Sequence, residues 1–311
     1  MNWIKKGLIF KPDGNNKWML SHASAPVVDR VDEDVLRIYF AFRDEHVRSY
    51  IGYIEVDADN PQNVQYVHDK QVLALGKPGT FDDNGIYPSW IVNHQGKKYL
   101  YYSGWNPQVT VSYRLAIGLA ISENGGGTFK KWSEGPILER ALDEPYFSSA
   151  PCVLLDGEIW KMWYVSGTKW EIINERPEPF YNIKYAESED GIHWRRTGQV
   201  CIDQDNFTDA IHRPSVFIED GIYKMIFGYR KATNYRTDRN QSYRAGYAES
   251  PDGINWVRKD DEVGIDRSTS GWDSEMIEYF YVFEHKGKKY MFYNGNGFGK
   301  SGVGYAIRDD G

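Results

Sequence analysis

A short pattern of aromatic and aliphatic residues occurs five times along this chain at nearly constant spacing. Its third position falls at residues 38, 100, 162, 225 and 291, which gives intervals of 62, 62, 63 and 66 residues. Internal repetition at a regular period indicates an architecture built from similar units. Apolar residues on both sides of the pattern indicate a strand that is packed on both faces. We therefore expect five similar units, each built around one buried strand.

Each copy of the pattern lies within a longer unit that contains further strand patterns. Turns rich in Gly and Asp, such as 156–157 and 220–221, precede the copies and supply the positive φ angles of hairpins. One strand pattern lies upstream of each turn, and another follows each copy. In units three and four, residues 190–194 and 252–256 lead into a fourth strand that carries a tryptophan. Four antiparallel strands per period predict an all-β fold, a five-bladed β-propeller.

The two ends of the chain complete each other. The fifth unit stops at residues 309–311, where its fourth strand would begin, and residues 2–6 (Asn-Trp-Ile-Lys-Lys) match residues 255–259 (Asn-Trp-Val-Arg-Lys). We therefore expect an N-terminal strand to complete the last blade and close the ring, which removes the free strand edges that promote aggregation. A single propeller domain would then span residues 1–311.

Charge and cysteine usage narrow the range of partners. The net charge is -7, and acidic and basic residues are mixed along the chain. Nucleic acids and anionic membranes require a concentrated basic face, so neither is expected as a partner. Cys152 and Cys201 are far apart in sequence and show neither disulfide nor metal-site spacing. We see no signal peptide or transmembrane pattern and expect a cytoplasmic protein; the oligomeric state stays open.

Acidic residues in the loops that enter the first strands are the candidate catalytic groups. Glycosidic bond cleavage needs a proton donor and a second carboxylate that serves as base or nucleophile. Glu278 matches Arg213 and Tyr87 of other units, so it should approach the channel, either as a proton donor with a raised pKa or as an ion-pair partner of Arg213. Glu275 lies nearer the mouth and is the more accessible acid. Candidate bases are Asp83, Asp209 and Asp44; the alternative is that these acids only cap turns.

Aromatic and basic residues at strand ends are the candidate substrate-binding groups. Aromatic rings stack on sugar faces, while Arg and Asn bind hydroxyl or carboxylate groups. The alternative is ordinary packing at the rim. The set is Arg43, His22, Tyr87, Trp105, Glu144, Trp170, His212, Arg213, Arg230 and Asn296. The 7 histidines show no metal-ligand spacing, so we expect no cofactor, although His22 and His212 leave a structural channel ion open.

The pattern Ala-Glu-Ser-x-Asp-Gly-Ile-x-Trp at residues 186–194 and 248–256 resembles the five-bladed propeller glycosidases of the arabinanase, xylosidase, levansucrase and invertase superfamily. The resemblance covers the whole repeat and implies an Asp base, a second Asp that orients the substrate, and a Glu general acid, all on or near the first strands. The chain departs from this set. Ala25-Pro26 stands where arabinanase-like members have Asp-Pro, and His212-Arg213 stands where unit four would carry a Glu. The catalytic set has therefore moved to other units, or hydrolysis has been lost.

Three functions fit these observations. The first is a glycoside hydrolase-like enzyme that acts at the channel mouth through carboxylate acid/base chemistry. The second is a carbohydrate-binding propeller without catalysis, which the missing Asp-Pro pair favours. The third is a glycosyl transferase or phosphorylase at the same site, because Arg43, Arg213 and Arg230 suit a phosphate or an acidic sugar. The five units do not repeat the Gly-His and Trp-Asp signatures of propeller interaction scaffolds.

Overall fold

Short antiparallel strands form nearly all of the regular structure in a computed structural model that describes residues 1–309. Asp310 and Gly311, which end the predicted fifth unit, lie outside the described residues. Two single-turn helical segments also occur between residues 1 and 309, a 3₁₀ turn at Asp260–Glu262 and α1 at Asn296–Gly299. The strands are β1 (Trp3–Phe10), β2 (Ser21–Arg30), β3 (Val35–Arg43), β4 (Ser49–Asp57), β5 (Val64–Val67), β6 (Gly85–His94), β7 (Lys97–Pro107), β8 (Tyr113–Ser122), β9 (Lys130–Lys131), β10 (Ser148–Asp156), β11 (Ile159–Ile173), β12 (Arg176–Ser188), β13 (Arg195–Ile202), β14 (Ala210–Glu219), β15 (Ile222–Arg230), β16 (Arg244–Ser250), β17 (Val257–Arg258), β18 (Glu278–His285), β19 (Lys288–Asn294) and β20 (Val303–Arg308).

The strands of each repeat unit pair with one another in chain order. Unit one is β2-β3-β4-β5, and units two, three and four continue this pattern from β6, β10 and β14. A single parallel pair, Ser49 with Gly85, joins units one and two, and Tyr181 with Ala210 joins units three and four. The first strands of successive units pack side by side, and β18 also packs against β2. The predicted all-β class is therefore confirmed.

The first strand of the chain belongs to the last unit. β1 pairs antiparallel with β20, from Trp3 opposite Arg308 to Phe10 opposite Val303, as the sequence match predicts. Trp3 is buried in an apolar cluster with residues of units four and five. The contact is close, because a Cβ added at Gly264 would lie 1.9 Å from the carbonyl oxygen of Met1. Strand β1 thus covers the edge that β20 would otherwise expose.

A bulge interrupts each first strand near its beginning. Non-glycine residues adopt positive φ there, at Ala25, Ala150, Arg213 and Tyr279, and the register to the second strand shifts. Bulges of this kind re-aim the neighbouring side chains. Five residues precede the shift at equivalent registers, Ser24, Tyr87, Ser149, His212 and Glu278, and they pair with Ala41, Ser103, Val165, Gly228 and Asn294.

This register corrects one alignment made from sequence. Glu278 is equivalent to Tyr87 as predicted, but its counterpart in unit four is His212 and not Arg213. Unit five has Phe280 where unit four has Pro214, so the sequence contains no landmark for this position. A slip of one residue exchanges the two faces of a strand. His212 and Glu278 therefore project to the same side.

Arg213 forms hydrogen bonds to the backbone of three first strands. Its guanidinium group donates to the carbonyl oxygens of Pro26 (2.8 Å), Ser89 (2.9 Å) and Tyr279 (3.1 Å), which belong to β2, β6 and β18. Burial lowers the pKa of Arg213 to about 10, so the group stays charged at neutral pH. A buried cation therefore links three of the first strands through their carbonyl groups. None of the helices within residues 1–309 is long and apolar enough to cross a membrane.

Candidate active site

A cavity of about 340 Å³ opens where the first strands begin and the second strands end. Its lining comes from units one, two, three, four and five. The lining residues are Ser24, Ala41, Arg43, Ser49, Tyr87, Trp105, Tyr113, Leu115, Tyr181, His212, Arg230, Tyr235, Arg236, Tyr243, Glu278, Tyr279 and Phe298. The cavity is thus rich in aromatic rings, with a few charged groups, as is usual for small-molecule sites.

The repeat defines two tiers of equivalent positions, and seven of these ten residues line the cavity. The first tier consists of the residues that precede the bulges, and the second tier lies two residues further along the second strands. The first tier is Ser24, Tyr87, Ser149, His212 and Glu278; the second is Arg43, Trp105, Gly167, Arg230 and Asn296. Among these ten positions, Glu278 supplies the carboxyl group.

Glu278 and His212 form a buried pair at the bottom of the cavity. The side chains are 2% and 8% exposed, and Glu278 Oε1 lies 3.3 Å from His212 Nδ1. Neither Glu278 Oε2 nor His212 Nδ1 makes a hydrogen bond to any residue that the structure describes. An unsatisfied buried oxygen is costly unless a ligand or water reaches it. Glu278 Oε2 is therefore an unpaired polar atom in the wall of the cavity.

Burial determines the protonation of this pair. Burial raises the pKa of Glu278 to about 8, although Arg230, Arg213 and Arg43 oppose the change. Burial, together with Arg213 and Arg230, lowers the pKa of His212 to about 3. At neutral pH the carboxyl group is therefore protonated in most molecules, and the imidazole is neutral. Glu278 can donate a proton, whereas His212 is a weak base.

Aromatic rings enclose the pair. The ring of Tyr279 meets the ring of His212 edge-on, with 4.6 Å between their centroids. Tyr181 and Tyr243 share a hydrogen bond between their hydroxyl groups. Trp105 donates from Nε1 to Ser49 Oγ at 2.8 Å, which fixes the indole plane on the unit-two side. Such rigid rings suit the apolar faces of a sugar.

Several predicted site residues meet in this cavity. Arg43, Tyr87, Trp105, His212, Arg230 and Glu278 all line it. Trp170 packs at its margin, with 5.2 Å between its ring centroid and that of Tyr113. Arg213 lies buried among the first strands, and His22 lies close enough to Arg43 that burial and this cation lower the pKa of the histidine to about 4.

The predicted acids other than Glu278 lie outside the cavity and hold local structure. Glu275 is exposed, and its N–H donates to Asn296 Oδ1 at 2.7 Å, which also accounts for Asn296. Asp209 accepts from the N–H of Ala232 at 2.8 Å, and Asp83 accepts from the N–H of Gly79 at 2.7 Å. The contacts of Asp209 and Asp83 are those that the turn-capping alternative describes, whereas the hydrogen bond of Glu275 involves its backbone and not its carboxyl group.

Asp44 and Glu144 are also engaged elsewhere. Asp44 forms an ion pair with Arg48 at 2.8 Å, beyond the end of β3. Glu144 is buried in unit three, where it accepts hydrogen bonds from Tyr164 at 2.9 Å and Ser166 at 2.8 Å. The structure therefore does not bring a second carboxyl group to Glu278 from this set.

Long connections between strands contribute walls of the cavity that were not predicted from the sequence. Tyr181 lies on β12, in an extended hairpin with β11, and Tyr235, Arg236 and Tyr243 lie in the segment 231–243 between β15 and β16. Tyr235 Oη donates to Glu178 Oε2 at 3.1 Å, which joins this segment to β12. The detectable signal was the unusual length of these two connections together with their tyrosines.

A larger groove lies away from these strand ends. It measures about 610 Å³ and runs along β8 and β9. Its carboxyl group, Glu123, is exposed and paired with Lys97 at 2.5 Å. No group of three His, Cys, Asp or Glu side chains is placed to hold a metal ion anywhere in residues 1–309. The central cavity, and not this groove, therefore brings together the candidate site residues of several units.

Replacing Glu278 with Gln should flatten the pH dependence of stability. The pKa of this carboxyl rises from 4.5 to about 8 on folding, so the folded protein holds an extra proton between those pH values. The contribution of this carboxyl group to the stability of the folded protein is complete below pH 4.5 and is lost as the pH rises through 8. Urea unfolding at pH 5 and pH 9 measures the free energy of unfolding. Between these pH values it should fall by on the order of 3–5 kcal/mol more in the wild type than in Glu278→Gln. Parallel behaviour of the two proteins would contradict the buried protonated state.

Comparison with known sequences gives two full-length relatives. Uncharacterized protein Rv1502 and Uncharacterized protein MT1551, from the H37Rv and CDC 1551 strains of Mycobacterium tuberculosis, are each 40% identical over 314 residues. The matches cover 100% of the chain and 100% of each relative. No protein-family model matches the chain.

Solved structures share the fold at low sequence identity. A thermostable family-43 glycoside hydrolase superposes with a TM-score of 0.65 at 16% identity, covering 94% of this chain and 90% of that one. A glycosyl hydrolase from Bacteroides ovatus gives 0.70 at 17% identity, with 100% and 94% covered. A structure from the GH130 family of mannoside phosphorylases, which contains glycoside hydrolases, gives 0.69 at 18% identity, with 99% and 94% covered. The resemblance to propeller glycoside hydrolases is therefore confirmed at the level of the fold.

Proposed function

We propose that this protein is a carbohydrate-active enzyme that breaks a glycosidic bond. The chain belongs to the family of the two mycobacterial proteins and has the fold of propeller glycoside hydrolases. The observation that carries this proposal is Glu278, a buried carboxyl group with a free oxygen in an aromatic cavity. Its raised pKa keeps a proton available at neutral pH. A positioned acid of this kind assists departure of an alcohol by protonating its oxygen.

In the proposed reaction the sugar stacks between Trp105 and the tyrosines of units three and four. Glu278 donates its proton to the glycosidic oxygen as the bond to the anomeric carbon breaks. Hydrolysis by two carboxylates needs the second at about 5–9.5 Å, and the other nine positions of the two tiers supply none. The acceptor attacks the anomeric carbon as this bond breaks. Phosphate attacks as an anion and needs no protein base, whereas water or a sugar hydroxyl releases a proton that returns to the Glu278 carboxylate.

We further propose that residues 1–311 form a single five-bladed propeller with a closed ring. Two contacts support this organisation: β18 packs against β2, and Arg213 donates to carbonyl groups of β2, β6 and β18. Pairing of β1 with β20 supports closure through the last blade. This arrangement would bring the first tier of residues from all five units around one axis.

A substrate panel tests the proposed function. Wild-type protein is incubated with aryl glycosides and oligosaccharides, with and without inorganic phosphate, and the products are identified by mass spectrometry. We expect the wild type to cleave at least one linkage of the oligosaccharides, whose leaving groups are poor, and Glu278→Gln to lose that cleavage. Calorimetric binding of a sugar without any turnover would contradict the catalytic proposal and favour a carbohydrate-binding propeller.

A further inference from the structure

Arg43 places an unpaired guanidinium group in the central cavity. The side chain is half-buried at the end of β3 and lines the cavity. No hydrogen bond or ion pair joins this guanidinium to another residue within 1–309. Because an arginine stays protonated at any ordinary pH, up to five N–H donors and a positive charge face the cavity without a partner.

The other arginines around the cavity are satisfied by the protein itself. Arg230 donates to Tyr243 Oη at 3.1 Å and to the carbonyl oxygen of Lys231 at 2.9 Å, and its charge lies 3.8 Å from the ring centroid of Tyr235. Arg236 is paired with Glu178. Arg43 differs from them because none of the residues that the structure describes accepts a hydrogen bond from its guanidinium group.

The charges around Glu278 do not balance. Arg230, Arg213 and Arg43 all act on its pKa as cations, yet burial keeps the carboxyl protonated at neutral pH. Three guanidinium groups are thus set around one neutral acid. Buried charges in proteins are normally paired, because removing them from water is costly. The missing negative charge is not supplied by the residues that line this cavity.

We propose that Arg43 binds an anionic group, a carboxylate or a phosphate, on the molecule that fills the cavity. The planar guanidinium matches either group with two parallel hydrogen bonds. Arg43 and Trp105 occupy the same position in neighbouring units, so an anion and a stacked sugar ring would lie side by side. The inference rests on the proposed carbohydrate function of the cavity. The anion can be carried by an acidic sugar or can be a free phosphate acceptor.

Binding measurements on matched variants test this role. Ligand-observed NMR titrations at low salt compare inorganic phosphate, glucuronic acid and glucose against wild type, Arg43→Met, Arg43→Lys and Arg195→Met. Arg195→Met is the control, because it removes the same charge from a site outside the cavity. The side chain of Arg195 is 71% exposed on the outer strand β13. We expect Arg43→Met to weaken anion binding at least 10-fold, Arg43→Lys to weaken it less, and Arg195→Met to leave it unchanged. Glucose binding should be the same in all four proteins.

The outcomes separate the sources of the anion and the two proposals. Arg43-dependent binding of phosphate supports a free anion, and Arg43-dependent binding of glucuronic acid supports an acidic sugar. The proposal is overturned if the wild type binds neither anion, or if Arg43→Met binds them equally well. Arg43→Met should fold, because it removes an unpaired charge, and thermal melting verifies this. Failure of Glu278-dependent cleavage would remove the catalytic function without altering these binding results.

Discussion

Glu278→Gln should lower kcat for glycosides with poor leaving groups by about 10²–10⁴-fold, the usual contribution of a positioned general acid. The amide keeps the size of the side chain but has no proton to donate to an alkoxide. Aryl glycosides whose leaving groups are already acidic, such as dinitrophenyl glycosides, should lose little, because their departure needs no proton. Sugar binding should persist in the variant. Steady-state kinetics on a series of leaving groups measures this difference.

Glu275→Gln is the matched control for this experiment. Glu275 is three residues earlier in the chain, exposed, and outside the cavity, so its variant should retain wild-type kinetics. The wild-type rate should also fall as the pH rises through about 8, where Glu278 loses its proton. An equal loss for good and poor leaving groups, or a larger loss in Glu275→Gln, would contradict the assignment of Glu278 as the proton donor.

Deletion of residues 1–10 should produce the largest loss of stability. The deletion removes β1 and exposes the edge of β20. It also removes the ion pair between Lys5 and Asp273 at 2.6 Å and the buried indole of Trp3. Asp273 is 2% exposed, so its carboxylate would lose its cationic partner within the protein. Differential scanning calorimetry should show a melting temperature lowered by more than 10 °C, or aggregation, together with weaker ligand binding.

Two point variants on β1 serve as a matched pair for the deletion. Trp3 is 5% exposed, and Ile4, on the opposite face, is 44% exposed. Trp3→Ala should cost about 3–5 kcal/mol, as for other buried aromatic residues, and Ile4→Ala should cost less than about 1 kcal/mol. A synthetic peptide of residues 1–10 should partly restore the truncated protein. A truncated protein that melts like the intact chain would show that β1 does not hold the last unit.

The organisation of the fold was accessible from sequence because each unit repeats the same apolar strand. The similarity of residues 2–6 to residues 255–259 predicted the pairing of β1 with β20, since the same side chains serve the same position in different units. The equivalence of Glu278 with His212 was not accessible. It depends on a backbone bulge at Tyr279, where φ is +57°, and no residue type in unit five marks that bulge.

The candidate site was predictable to a smaller extent. Strand position was enough to identify Glu278, Arg43 and Arg230, because the ends of equivalent strands converge. Acidic character was not enough to identify a catalytic role: Asp83 and Asp209 bind backbone N–H groups instead. A loop aspartate that accepts such a local hydrogen bond is engaged in holding the backbone and is not placed for catalysis. These hydrogen bonds depend on loop geometry, which a single sequence does not contain.

The protonation of Glu278 can be measured directly by infrared spectroscopy. Difference spectra of wild type minus Glu278→Gln, recorded from pH 5 to pH 10, isolate the carbonyl stretch of this one protonated carboxyl group. We expect the band to be present at pH 6 and to disappear with a midpoint near pH 8, where the pKa of the buried acid lies. A carboxylate already ionised at pH 6 would contradict the proposed proton donor, and with it the proposed catalytic mechanism.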